Sequence, residues 1–430
     1  MVNNSREVGL ARRLGLAVAT LTGLGVIIGS GIYVIIGVAA GQAGNAVWLS
    51  FLVAAVGASF TAASYARLGR LKSKNAPEYQ FVNAAFGSQL AFLAGWLILL
   101  AQIVSSAAVA LGFAGYLNSL LNVPILPAAA ALIIFCSIVV FIGIGQSALM
   151  AGFLTIIEIV GLLIIIFIGL PKFGQVNYWE MPLGFAGVLS AASLVFFAYL
   201  GFEGMANLSE EMKTPEKDLP KAIVLALVLS AMAYILVSLS AVSVSGWSDL
   251  SRSAAPLATV AGQALGEKAG LALTIISLAS TANTVLVLLL AASRILYTMS
   301  SDRVLPIILH KVSQKQRTPW VAIITVGLGS ILFASLRNIQ QVAEFTNFIT
   351  LLAFIGVNAS AIKILQKNNT SKIKHILVNR FLPSLGVVAS IWLAVNAGWK
   401  AGLFGIGVLL VGLLVYWITR ITTKTVGKHP

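Results

Sequence analysis

Charge is scarce in this chain. Of its 430 residues only 10% are Asp, Glu, Lys or Arg, where a soluble domain carries roughly 25%, so the soluble globular class is excluded. Cysteine is scarcer still. The single Cys136 rules out an intramolecular disulfide and any multi-cysteine metal site. The three histidines, His310, His375 and His429, all lie in polar connections or the tail, which leaves no histidine proton relay in the apolar part. A G-x-x-x-x-G-K-[ST] loop is missing, which argues against an ATP-driven pump. The apolar segments also lack the Asp, His and grouped Cys that an enzyme's nucleophile and base, or a metal cluster, would require. Neither catalysis nor a cofactor nor a metal is expected. A channel would show a repeated filter motif or a polar pore stripe, and neither is found.

What is abundant is apolar sequence, 59% of the chain. Nearly charge-free stretches of about 20 residues, each long enough to cross roughly 30 Å of hydrocarbon as a helix, recur from Leu14 to Arg420. The expected spans are 14–40, 44–66, 84–117, 125–143, 149–171, 183–208, 221–245, 268–300, 319–336, 341–362, 382–398 and 401–420. This is the pattern of an all-α membrane protein with twelve transmembrane helices in a lipid bilayer. The first stretch is too long for a signal-peptide core and ends without an A-x-A-like site, so it is read as a span that stays in place. Ser253–Gly266 is apolar but short and is read as an extracellular interfacial helix.

The basic residues orient the spans. Of 28 Lys and Arg, the odd-numbered connections hold Lys172, Arg252, Lys268, Arg337 and Lys400. The remaining 23 (28 − 5) sit in the termini, the even-numbered connections or, for Arg294, the inner end of span eight. Cytoplasmic loops collect Lys and Arg. Both termini are therefore expected in the cytoplasm and the chain in the cytoplasmic membrane. The net charge of +15 is thereby explained without nucleic acid.

Two places interrupt the helical pattern. Span one contains Gly23-Leu24-Gly25-Val26-Ile27-Ile28-Gly29-Ser30-Gly31-Ile32-Tyr33, and each glycine costs a helix roughly 1 kcal/mol against alanine. An unwound segment at membrane depth is tolerated only when buried in protein or lining a cavity. Its free N–H groups and the positive end of the next half-helix make an anion site. Close helix packing through small residues is the competing reading. Span six contains Phe196-Phe197-Ala198-Tyr199-Leu200-Gly201-Phe202-Glu203-Gly204, five spans later. Paired interruptions at corresponding positions of two halves point to a transporter's binding site.

Gly29-Ser30-Gly31-Ile32-Tyr33 resembles the G-S/A-G-I-F/Y signature of the amino acid–polyamine–organocation (APC) superfamily. The span-six run, with Glu210-Glu211-Met212-Lys213-Thr214-Pro215 and Leu219-Pro220-Lys221-Ala222-Ile223 after it, is similar to that family's F-F-A-F-x-G-F-E…E-E-x-K-N-P…I-P-x-A-I. Ala292-Ser293-Arg294, leading to Asp302 and Leu305-Pro306, looks like its span-eight ending. The resemblance covers essentially the whole chain. It implies a LeuT-type 5+5 inverted repeat with broken helices 1 and 6: residues 14–171 as one repeat, 183–362 as the other, and 382–420 as two peripheral spans. It implies an amino acid permease working by alternating access. Ile28, Gly29, Ser30 and Gly31 would hold the substrate carboxylate. Phe197, Ala198 and Leu200 would present backbone carbonyls to the ammonium, with Phe197 as a cover and Tyr199 among the substrate-binding residues. Ser105, Ser106 and Asn283 are candidates for the side-chain pocket.

Only Glu158 and Glu203 place a carboxyl well inside a span, where a charge costs roughly 2.5–3.5 kcal/mol. Glu203 sits just beyond the second break, either as a proton-linked gate or as a clip accepting hydrogen bonds from unwound backbone. Glu158 stands where proton-coupled members of the resembled family carry lysine, at a position where sodium-coupled relatives bind their ion. It either titrates or helps bind a cation with Ser280 or Thr281, or is a neutral acid bonded to span-one carbonyls. Glu210, Glu211, Lys213, Glu216, Lys217 and Asp218 form a mixed cytoplasmic cluster, mostly a solvated loop. The expected partners are thus an amino acid and a coupling ion, the proton ahead of sodium. The alternatives are an exchanger, a polyamine carrier or a sodium-coupled symporter.

Overall fold

A chain that meets lipid must satisfy its backbone N–H and C=O groups internally, and a helix does this within one segment. This computed structural model describes residues 15–29, 31–69, 77–210, 212–366 and 380–426, with side chains described except at 144–152, 207–210 and 420–426. Among the described residues all long elements are helices. They are α1 (Leu16–Ile27), α2 (Gly31–Ala43), α3 (Val47–Leu68), α4 (Pro77–Phe86), α5 (Ser88–Leu121), α6 (Ile125–Ile142), α7 (Ile144–Gly169) and α8 (Gly184–Val195). There follow α9 (Pro215–Arg252), α10 (Pro256–Leu265), α11 (Glu267–Ser301), α12 (Trp320–Ala334), α13 (Ile339–Gln366), α14 (Leu382–Asn396) and α15 (Trp399–Val426).

Nine helical stretches among the described residues are long and apolar enough to cross a membrane, one of them running from Gly31 to Leu68 across α2 and α3. The helices α1, α12 and α14 are shorter but equally apolar. Large apolar side chains stay outward on many of them, Val18, Phe153, Leu332, Val395 and Leu410 among them. That outward apolar surface identifies a multi-pass membrane protein, since water would penalise it.

The interior is built around α5 and α9. The first packs against α11, α13, α6 and α12, the second against α1, α2, α3 and α7. Each brings small residues to its contacts. In α5 the run Ala107-Ala108-Val109-Ala110-Leu111-Gly112 is buried throughout, which lets neighbouring helices approach closely. α14 lies on α13 and α3, and α15 on α13 and α5.

Three elements differ in detail from the expectation. Helix α4 lies in a stretch read as a polar connection. Its Glu78, Tyr79 and Gln80 lower the local hydropathy, yet Glu78, Phe81, Val82 and Ala85 form a buried face. Span seven starts earlier than expected, at Pro215 in α9; the helix breaks at Gly246, just past the expected end at 245, where a φ of 68° suits only glycine, and a short second stretch continues to Arg252. The apolar face of α10, with Leu257, Val260 and Ala261, is buried against α11 and α9 instead of facing lipid.

Candidate substrate site at two broken helices

Helix α1 stops where Ile28, at φ −74° and ψ 55°, leaves helical geometry; α2 resumes at Gly31. Span six breaks in the same manner. α8 tightens into a 3-10 turn over Phe196–Tyr199, Leu200 is extended, Gly201 has φ 121°, and a 3-10 segment runs over Phe202–Glu210. Ser30 lies outside the described residues.

The two breaks touch backbone to backbone. A Cβ placed on Gly31 would come 2.6 Å from the Ala198 Cα, and one on Gly201 would come 2.6 Å from the Val26 carbonyl oxygen. No real Cβ fits at such a distance, so glycine is required at both positions by the approach of the other break. Gly201 requires it a second time, through its positive φ. Close packing and helix interruption, set against each other as readings of the glycines, turn out to be one feature.

Helix ends expose carbonyls that need donors, and two side chains supply them. The Tyr234 hydroxyl on α9 donates toward the Ile27 carbonyl (2.7 Å) and the Ala198 carbonyl (2.9 Å). A phenol has one hydrogen, so this is a shared bond bridging the two breaks. Its ring is fixed against Phe51 and Tyr199. On α13, the Asn347 amide donates to Ser193 O (2.7 Å) and Leu194 O (3.0 Å), the last carbonyls of α8. Neither residue was singled out from sequence. The available signal was a polar side chain at mid-span in an apolar segment.

The other expected residues divide. Ile28, Phe197, Ala198 and Tyr199 are buried at the breaks and Leu200 is half-buried. The added Cβ of Gly29 would meet Thr284 Oγ1 at 3.0 Å, which places the first break beside α11. The Ala198 carbonyl, expected to face an ammonium, already accepts from Tyr234 and keeps one lone pair for a ligand. Tyr199 turns its hydroxyl to Phe51 O at 2.9 Å. Ser105 is buried on α5 and its hydroxyl makes no hydrogen bond among the described residues. Ser106, one residue on and 100° around the helix, points away: it bonds Ile103 O (2.8 Å) and Ser330 Oγ on α12 (2.6 Å).

Asn283 is drawn to the second carboxyl. Its amide donates to Glu158 Oε1 at 3.4 Å, and Ser280 lies beside the same carboxyl. Glu158 is fully buried. Its Oε2, Ser280 Oγ and Asn283 Oδ1 have no hydrogen-bond partner among the described residues. Buried polar atoms without partners are costly, and the Ser280 hydroxyl carries a hydrogen that can turn to the same carboxyl. The Thr281 hydroxyl donates within its own helix, toward Ser277 O (2.7 Å) and Leu278 O (3.1 Å), and keeps its oxygen lone pairs. Tyr33, just past the first break, holds the Glu158 backbone carbonyl at 2.8 Å. Glu203 accepts from the Gly201 N–H at 2.8 Å, the clip geometry at the second break.

Networks at opposite ends of α3 flank the site, about 33 Å apart by helix rise. At one end the Tyr65 hydroxyl donates to Glu78 Oε1 (2.9 Å), and the Tyr65 ring packs edge-on against Phe202 beside Glu203. Burial pushes the Glu78 carboxyl up to about 7, the charge of Glu203 adding to the effect. At the other end Glu180 accepts from Asn45 Nδ2 (2.7 Å) and Trp247 Nε1 (2.9 Å), tying the connection before α8 to α2 and α9. Of the mixed 210–218 cluster, Thr214 bonds Asp218 at the start of α9; Glu211 and the Glu210 side chain lie outside the described residues. Among the described residues no group of three His, Cys, Asp or Glu gathers as a metal site.

Long helices with apolar outer faces and two breaks clasped at depth define a multi-pass helical membrane protein. The chain belongs to the amino acid permease family, within the APC superfamily; the match runs over residues 14–425. It is 32% identical to the branched-chain amino acid permease BcaP of Bacillus subtilis, over 96% of this chain and 94% of that one. It is 30% identical to the methylthioribose transporter of the same bacterium, with the same coverage. To the vacuolar cationic amino acid transporter 4 of Arabidopsis thaliana it is 28% identical, over 91% of this chain and 67% of that one. Family and relatives alike are transporters, not enzymes.

Proposed function

We propose that this chain is a twelve-span secondary transporter of neutral amino acids in the cytoplasmic membrane, with both termini cytoplasmic. In this reading α1–α2, α3, α5, α6 and α7 make up one inverted repeat. The broken span six (α8 with its 3-10 segments), α9, α11, α12 and α13 make up the other, and α14 and α15 are peripheral. The observation that carries the reading is the clasp of the two breaks through Gly31, Ala198, Gly201 and Tyr234. A zwitterion needs donors for its carboxylate and acceptors for its ammonium side by side. The start of α2 supplies free N–H groups and the positive end of a helix. The extended stretch at Leu200 supplies carbonyls outside any helix. Of the buried carboxyls among the described residues, Glu78 is bonded by Tyr65 and Glu203 by the Gly201 N–H, and the third is Glu158, which favours a neutral side chain over a polyamine.

In our reading alternating access is driven by protons through the Glu158 cluster. A proton on Glu158 Oε2 can donate to Asn283 Oδ1 or Ser280 Oγ and so satisfy two of the orphaned oxygens at once. One charge moved through 100 mV supplies roughly 2.3 kcal/mol, and tenfold accumulation costs about 1.4 kcal/mol, so one proton sustains accumulation of roughly fiftyfold. The same three oxygens favour a second reading, a sodium ion held by a charged Glu158. Uptake into proteoliposomes with an inward proton gradient, an inward sodium gradient or neither decides between them, repeated for Glu158→Gln and Glu203→Gln. Proton-driven uptake lost in Glu158→Gln is expected. Sodium-dependent uptake indifferent to a protonophore replaces the proton with sodium. Because one relative is named for methylthioribose, competition by amidated and decarboxylated analogues belongs in the same assay. Equal competition by a simple amine or a neutral sugar sinks the zwitterion site.

A further inference from the structure

One open space lies apart from the two breaks, none of whose residues lines it. It is a groove of about 610 Å³ on the outer surface between α6 and α12. Ile133 and Ile323 make its buried floor; Ile138, Ile324 and Leu328 stand exposed along its rim. Gly327 leaves the middle of the α12 wall without a side chain. From Trp320 to Ile331 the groove runs eleven residues of helix, about 16 Å at helical rise, which is one leaflet's share of a roughly 30 Å hydrocarbon core.

Its mouth is basic. Ser313 lines the groove and opens a small closed loop: its N–H donates to Thr318 O (2.9 Å), and the Arg317 N–H donates back to Ser313 O (2.9 Å). Thr318 pins that loop to α6 through Phe141 O at 2.8 Å. Lys311, Lys315 and Arg317 flank Ser313 in the loop that adjoins this end of the groove. All three are exposed and form no ion pair with a described residue. The 301–319 connection carries four Lys and Arg against one acid, Asp302. The apolar Ile307, Ile308 and Val312 in the same connection are exposed as well, a composition suited to the headgroup layer.

We propose that this groove is a binding site for one anionic phospholipid. An acyl chain lies along Ile324, Leu328 and Ile331, and the phosphate sits among Lys311, Lys315 and Arg317. Length and charge both select this occupant: the groove is about one leaflet deep, mostly apolar apart from Ser137 within it and Ser313 at its end, and the loop at its Ser313 end carries Lys311, Lys315 and Arg317. Each basic side chain near an anionic headgroup is worth roughly fivefold in binding, so three make the site selective for charge.

The test is native mass spectrometry of the purified full chain, titrated with dioleoylphosphatidylglycerol or dioleoylphosphatidylcholine. The wild type is expected to retain one phosphatidylglycerol at least tenfold more tightly than phosphatidylcholine. The triple variant Lys311→Gln, Lys315→Gln, Arg317→Gln should lose that preference. Leu328→Trp, on the exposed rim where folding is not at stake, should lose the retained lipid. Equal retention of both lipids by the wild type overturns the proposal, as does a preference that survives either variant. A dimer abolished by Leu328→Trp also overturns it, making the groove a contact between two copies.

Discussion

Removing one hydroxyl tests whether the clasp between the breaks organises the binding site. Tyr234→Phe keeps the ring and its packing against Phe51 and Tyr199, and deletes only the donor shared by Ile27 O and Ala198 O. Both carbonyls belong to interrupted helices, so neither recovers a helical partner. Leaving buried acceptors unsatisfied costs roughly 1–3 kcal/mol. Part of this loss falls on folding and part on the closed arrangement of the breaks that a substrate requires. A share of about 1.4 kcal/mol on binding weakens affinity tenfold. The assay is substrate affinity by competition in proteoliposomes, alongside thermal unfolding in detergent. The control is Tyr116→Phe, which deletes a buried hydroxyl bonded to the Tyr33 carbonyl at 2.9 Å, beyond the first break. Expected are a lower melting temperature in both variants and a tenfold loss of affinity in Tyr234→Phe alone. Unchanged affinity in Tyr234→Phe, or the same loss in both, refutes the reasoning.

Gly31→Ala and Gly201→Ala should each destabilise the protein by about 1–3 kcal/mol through overpacking and reduce uptake. Gly204→Ala, whose Cβ would meet its nearest neighbour only at 4.0 Å, should behave as wild type; thermal melts of the three variants check this, and a benign Gly31→Ala contradicts the close approach. A pH dependence follows from Glu78. Burial pushes its folded-state carboxyl up to about 7 from the ordinary value of about 4.5, so the folded state holds a proton that the unfolded state releases. Stability then falls as pH rises from about 4.5 to 7 and is flat above, by up to about 3 kcal/mol. Glu78→Gln keeps an acceptor for Tyr65 and should flatten that slope, melting higher than wild type at pH 8 and equally at pH 4; an identical slope in the variant excludes Glu78 as its source.

The amino-acid sequence by itself determined the membrane class, the approximate place of the spans and the two interruptions. Hydropathy is a sum over neighbouring residues, and the helix cost of Gly29, Gly31 and Gly201 is paid locally, so both can be read without knowing what lies nearby. Helix α4 escaped because its buried face holds Glu78, whose burial depends on Tyr65 reaching across from α3. Tertiary structure alone decided what surrounds the interruptions. Ser105 and Ser106 are indistinguishable as a pair of serines, yet the turn of α5 aims the second at Ser330, more than two hundred residues on. Asn283 has its amide nitrogen 3.4 Å from Glu158 Oε1, a carboxyl 125 residues away in sequence. Tyr234 and Asn347 look like ordinary polar residues in apolar spans until packing delivers them to carbonyls that broken helices leave without donors. Such roles arise from the direction of a side chain and the neighbour that packing brings to it, and neither is a property of the local sequence.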